Sequence, residues 1–151
     1  MKKDEIYAIL NDWNLWNHRL KTGVERPVYL RKLQSILPSG QVVVITGPRR
    51  SGKSFVMRQL AQNLVDSGVP ANQILSVNFE DPRLSPLDAG LLQEIFETYI
   101  EYMRPAGKPY IFLDEIQEVD QWEKWVRTMH ELNKAVIVIS GSNAKLLSTE
   151  L

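Results

Sequence analysis

Apolar residues recur along this chain in two rhythms, one helical and one of short continuous runs. Residues 4–20 place Ile6, Leu10, Trp13 and Leu20 at roughly helical spacing, which predicts an amphipathic helix. Trp13 and Trp16 sit three apart on one face and read as packing anchors, with a cofactor or base-stacking role as the alternative. Thr22-Gly23 breaks the pattern. A second helix is predicted over about 27–37, through Val28, Leu30, Leu33, Ile36 and Leu37, and Pro38-Ser39-Gly40 ends it. Gln41-Val42-Val43-Val44-Ile45-Thr46 then changes the rhythm. This β-branched run, bounded by Gly and Pro, predicts a strand buried on both faces of a parallel sheet.

The two rhythms alternate from there on. A helix from about Ser54 to Asp66 carries Phe55, Val56, Leu60, Leu64 and Val65 as one stripe, with Gly68 and Pro70 as its stop. A strand over about 73–79 runs through Ile74, Leu75, Val77 and Phe79, and a loop spans 80–87. In that loop Glu80-Asp81 reads mainly as loop chemistry. The next helix runs from about Asp88 to Met103, and Pro105-Ala106-Gly107 stops it. The third strand, Tyr110-Ile111-Phe112-Leu113, leads into Asp114-Glu115. Asp120 is expected to cap the following helix, with Glu123 completing a capping box and Trp122, Trp125, Val126 and Met129 on one face. A fourth strand, Ala135 to Ser140, ends in Gly141-Ser142-Asn143, and a last helical segment begins near Ala144. Strands alternating with helices predict an α/β fold of three layers, a parallel sheet with helices on both faces. The apolar pattern of Leu146, Leu147 and Leu151 carries no stop signal, and such a sheet usually gains a fifth strand. The chain is therefore expected to be the N-terminal part of a longer protein.

Composition narrows the classes of function. The 151 residues suit one domain, with 44% hydrophobic and 24% charged residues. Eighteen basic side chains balance 18 acidic ones, so no charge field across the whole chain points to nucleic acid; a local basic patch stays open. The absence of cysteine excludes disulfides and Cys-based zinc sites. His18 and His130 are isolated and read as surface or packing residues. No apolar run approaches the ~18 residues of a membrane span, and no signal-peptide segment is evident. A cytoplasmic protein with no membrane partner is the expectation.

The strongest chemical signal is Gly47-Pro48-Arg49-Arg50-Ser51-Gly52-Lys53-Ser54, which matches G-x-x-x-x-G-K-[ST] between a strand and a helix. A triphosphate is densely anionic. Gly47 and Gly52 let the backbone turn so that successive N–H groups form one anion-binding nest, and the helix N-terminus adds its dipole. Lys53 supplies charge for the β- and γ-phosphates, and the Ser54 hydroxyl is a magnesium ligand. Arg49 and Arg50 either touch phosphate or are solvated loop charges. Phe55, next along the chain, completes the binding set.

Asp114-Glu115 ends a buried-type strand, at the sheet edge where ligands bind in α/β folds. Asp114 is read as a magnesium residue and Glu115 as the base that polarises the attacking water. A kinase needs no such Glu, so the pair favours hydrolysis. At the end of the fourth strand Ser140, Ser142 and Asn143 could each hydrogen-bond a water or phosphate. Ser142 is taken as the γ-phosphate sensor, with a plain turn as the competing reading. No Asn-Lys-x-Asp guanine reader is present, which favours ATP. Arg26 or Tyr29 could stack on the adenine.

These residues together resemble the AAA+ superfamily of P-loop ATPases, and more closely its prokaryotic group that joins an AAA-type domain to a distinct C-terminal domain. Besides the phosphate loop, the resemblance rests on Asn78-Phe79-Glu80-Asp81-Pro82-Arg83-Leu84, Ile111-Phe112-Leu113-Asp114-Glu115-Ile116-Gln117 with Trp122-Glu123-Lys124-Trp125, and Ile137 to Leu147. It implies MgATP binding, a sheet in the order 5-1-4-3-2 and hydrolysis. Residues 1–38 then form an N-terminal helical extension and 39–151 an ATPase core lacking its fifth strand, arginine finger and lid. The exposed edge of the strand at 41–46 would be a site for self-association. The competing reading is a switch, in which ATP occupancy sets conformation or assembly with little turnover. Whether the client is a nucleic acid or a protein is left open by the residues.

Overall fold

The structure is a computed structural model and describes residues 1–20, 22–23, 27–48 and 51–142, with the backbone alone at Tyr29. The expectations placed on Arg26, the Tyr29 side chain, Arg49, Arg50 and residues 143–151 lie outside these residues. The elements are α1 (Lys3–Trp13), α2 (Pro27–Ile36), β1 (Val43–Thr46), α3 (Lys53–Asp66), β2 (Ile74–Asn78), α4 (Ala89–Met103), β3 (Tyr110–Asp114), α5 (Trp122–Glu131) and β4 (Val136–Gly141).

The four strands form one sheet in the order β1-β4-β3-β2, and every pair is parallel. This is the 1-4-3-2 portion of the expected order. Parallel neighbours need crossover helices, and side-chain alternation along each strand sends successive residues to opposite faces. Leu75, Val77, Ile111, Leu113, Ile137 and Ile139 meet α1, α4 and α5 on one face. Ile74, Phe112, Val138, Val43 and Ile45 meet α2 and α3 on the other. The result is the expected three-layer arrangement.

Three local expectations fail, each for a tertiary reason. The first helix stops at Trp13 rather than running to residue 20. Asn14 is extended (φ −116°, ψ 156°), and its side-chain amide works as a strand would. It donates to Ser76 O (2.9 Å) and accepts from Ser76 N (2.7 Å). Trp16 Nε1 donates to Ile74 O (2.9 Å). These contacts satisfy backbone groups on the outer edge of β2, and a helix continued through residue 14 could not make them.

Next, β1 is shorter than the run that predicts it and is not buried on both faces. Val43 and Ile45 are buried, but Val44 is 43% exposed. Val44 pairs in register with Ile139, so it points to the face of α4 and α5, but it is not among the residues packed into that cluster. Finally, Asp120 does not cap α5. Gln121, in the left-handed region (φ 58°), occupies the cap without a side-chain hydrogen bond. Asp120 is drawn instead into a bridge with Asp88, its N–H donating to Leu87 O (3.0 Å).

Candidate functional site

Parallel register brings the carboxyl ends of β1, β4 and β3 to one edge of the sheet, with Thr46 beside Gly141 and Leu113 beside Ile139. The phosphate-loop motif leaves β1 there, and the acidic pair leaves β3 there. Alternation does the rest. Asp114 shares the face of Phe112, and Ser140 that of Val138, which is the face α3 covers.

The loop shows why its glycines are needed. Gly52 has φ 90°, in the left-handed region. At Gly47 a Cβ would stand 2.9 Å from Ser51 Oγ, so a side chain there would displace the Ser51 hydroxyl. Helix α3 begins at Lys53, and its first ladder bond runs from Val56 N to Gly52 O (3.0 Å). The N–H groups just before Val56 therefore have no helical acceptor. No acidic residue lies in that first turn, so the positive end of the helix is left for an external anion.

Lys53 is buried (5% exposed side chain) and points back over the loop. Its ammonium donates to Gly47 O (2.8 Å) and Pro48 O (3.1 Å) and pairs with Glu115 Oε1 at 3.2 Å. Glu115 is equally buried and sits in the left-handed region at φ 55°, ψ 48°. A non-glycine residue there costs about 1–2 kcal/mol, and that backbone turns the chain directly after β3. Ser54 Oγ donates to Asp114 Oδ2 (2.5 Å). Both are hard oxygen donors of the kind Mg²⁺ takes, and a magnesium site completed by phosphate oxygens and waters needs no larger carboxylate cage. No cluster of three or more metal-ligating His, Cys, Asp or Glu occurs among the described residues. A cavity of about 30 Å³ adjoins Ser54 and Asp114, walled partly by Trp13, Arg58 and Asn78.

Of the polar residues at the end of β4, Ser140 reaches the acidic pair. Its fully buried hydroxyl donates to Asp114 Oδ1 (2.5 Å) and accepts from Glu115 N (3.0 Å). Ser142 follows β4 half-buried and makes neither of these contacts. Phe55 stays close to the loop but packs its ring on Gly23, with the Arg58 guanidinium 5.4 Å away. Arg58 also stands 5.7 Å over Trp13. Trp13 in turn donates to Asp81 Oδ2 (2.8 Å). Glu80-Asp81 thus serves the loop. Asp81 chelates Arg83, which also binds Asp12 on α1. Hydrogen bonds from Arg83 are the main reason the Asp81 carboxyl is lowered to about 2, with burial opposing and Trp13 assisting.

Two contacts at the site were not foreseen from sequence. Gln117 donates to Glu115 Oε2 (2.6 Å), and Trp13 forms a wall of the cavity. Spacing could have suggested the first, because a tight turn after Glu115 returns the chain on itself. For the second, Trp13 reads from sequence chiefly as a packing anchor, with a stacking role as the alternative.

Residues 39–151 match the model of a family described as "AAA domain". An uncharacterised protein of Haemophilus influenzae is 35% identical over 133 residues, covering 87% of this chain and 32% of its own. An uncharacterised protein of Methanocaldococcus jannaschii is 30% identical over 132 residues, covering 87% of this chain and 28% of its own. The chain thus spans about a third of the length of the curated relatives it matches. No helix among the described residues is long and apolar enough to cross a membrane.

Proposed function

The chain belongs to the AAA domain family of nucleotide-binding, ATPase-like domains, and on that premise we propose that it binds MgATP at residues 47–55 and that the full-length protein hydrolyses it. One observation carries this reading. Two separate sequence signals converge in space, with Ser54 Oγ 2.5 Å from Asp114 and Lys53 Nζ 3.2 Å from Glu115.

Each residue then has a role its chemistry allows. The N–H groups at the start of α3 and the Lys53 ammonium bind the β- and γ-phosphates. Arg49 and Arg50 lie in the same loop and add charge to it. Ser54 and Asp114 hold magnesium, which supplies neutralisation of phosphate charge. Ser140 fixes the Asp114 carboxylate and the Glu115 backbone. Glu115 accepts a proton from water as the water oxygen bonds to the γ-phosphorus, and ADP leaves with the electrons of the broken P–O bond. Buried Lys53 and Glu115 are already paired, so charge is assembled before the substrate arrives.

The test is nucleotide binding with and without Mg²⁺ in wild type and Lys53→Ala, followed by phosphate release from full-length protein and from Glu115→Gln. Charge-assisted contacts of about 1.5–3 kcal/mol predict a loss of roughly 10–100-fold in affinity for Lys53→Ala. Glu115→Gln should bind and turn over roughly 10²–10⁴-fold more slowly than wild type. Equal turnover in wild type and Glu115→Gln would remove the base assignment. An ATP-dependent change of oligomeric mass that survives Glu115→Gln, with little turnover in wild type, would support the switch reading.

A further inference from the structure

We propose that Gln117 is a positioning residue that sets the Glu115 carboxylate for its role as base; the inference rests on the reading of Glu115 given above. An ammonium has three N–H donors. Those of Lys53 have three acceptors within the chain, Gly47 O, Pro48 O and Glu115 Oε1. Lys53 cannot bind phosphate without giving up at least one of them, and the charged partner it shares with an incoming polyanion is Glu115. Nucleotide therefore competes with Glu115 for its cation.

What then holds the Glu115 carboxylate is the Gln117 amide. The Glu115 backbone is fixed by the left-handed turn, by Ser140 Oγ on its N–H and by Glu118 N on its C=O (3.2 Å). Its side-chain torsions are not fixed by those bonds. Gln117 Nε2 lies 2.6 Å from Glu115 Oε2, while Lys53 pairs with Oε1 at 3.2 Å. The amide must present its nitrogen here, because an ionised carboxylate accepts and cannot donate. Gln117 Oε1 is buried and has no hydrogen-bond partner among the described residues.

The experiment uses full-length protein. Single-turnover hydrolysis and equilibrium affinity for a fluorescent, non-hydrolysable ATP analogue are measured in wild type, Gln117→Ala, Gln117→Glu, Glu115→Gln and the Gln117→Ala/Glu115→Gln double variant. Circular dichroism melts establish that each is folded. Gln117→Glu is nearly isosteric and covers the case in which Gln117→Ala does not fold. A base contributes about 10²–10⁴-fold, so losing its alignment should lower the rate by roughly 10–100-fold. Analogue affinity should stay within about 2-fold, because no phosphate contact is lost. In the Glu115→Gln background Gln117→Ala should have no further effect, since residues acting as a unit are not additive. Wild-type rates in both Gln117 variants, a rate loss repeated in the Glu115→Gln background, or a loss explained by affinity would each overturn the inference. If Glu115→Gln loses turnover and both Gln117 variants hydrolyse at the wild-type rate, only this inference falls. If Glu115→Gln turns over like wild type, or wild type does not turn over at all, the base assignment falls and this inference with it.

Discussion

At the scale of single residues, the site depends on small groups that hold large ones. Ser140 is the clearest case. Its hydroxyl joins the Asp114 carboxylate to the Glu115 N–H, fully out of solvent. Ser140→Ala leaves that N–H without an acceptor and takes a donor from the carboxylate. A buried group left unpaired costs about 1–3 kcal/mol. Urea denaturation should show a lowered midpoint with an unchanged slope, because the surface exposed on unfolding is the same. An unchanged midpoint would mean that another group takes over both bonds. Strand parity could have identified Ser140 beforehand. It lies two residues from Val138 and so shares the face that meets α3, whereas Ser142 lies beyond the strand's end.

At the scale of elements, what was legible in the sequence is what local pattern determines. The strand–helix alternation is set by spacing, and α3 and α4 appear near where spacing puts them, although Phe55, read as part of the α3 stripe, is 40% exposed. Asp88 caps α4, accepting from Leu91 N (2.9 Å). The misread boundaries are set by distant partners. Asn14 ends α1 because Ser76 offers both backbone groups to its amide. Asp120 fails as a cap because Leu87 claims its N–H. Val44 is exposed at a position where the β-branched run predicts burial.

The link between α1 and the loop after β2 carries its own prediction. Asp81 is ordinarily expected to titrate near 4, and in the fold it titrates at about 2, chiefly through Arg83. A carboxyl lowered by folding contributes stability that is present above its unfolded pKa and lost as pH falls through the folded one. Wild type should therefore exceed Asp81→Asn in stability at pH 5, and the gap should close as pH falls from about 4 to about 2. Acid unfolding of the two proteins followed by circular dichroism checks this. A gap constant over that window would show that the carboxylate charge is not what Arg83 and Trp13 recognise.

At the scale of the whole molecule, binding and stability are one quantity. A ligand that binds only the folded chain, at 100 times its dissociation constant, adds about 2.7 kcal/mol. For a domain of this size that is a rise in Tm of roughly 5–10 °C. MgATP should produce such a rise in wild type, EDTA should shrink it, and Lys53→Ala should abolish most of it. Differential scanning calorimetry reads all three, and an equal rise in Lys53→Ala would place the nucleotide elsewhere. The curated relatives devote about two-thirds of their length to sequence that this chain does not match.

The strand order also has a consequence in time. β4 lies between β1 and β3, yet it is the last of the four to be synthesised. Until residue 141 has left the ribosome, β1 has no partner, and β2 and β3 can only form a pair apart from it. The phosphate loop and the acidic pair therefore cannot be brought together by local folding. They meet when one late strand is inserted between two waiting edges. Such long-range closure is slow, and it leaves the β1 edge open to other chains during synthesis. A stalled or prematurely released chain would hold both halves of the site and lack the strand that joins them.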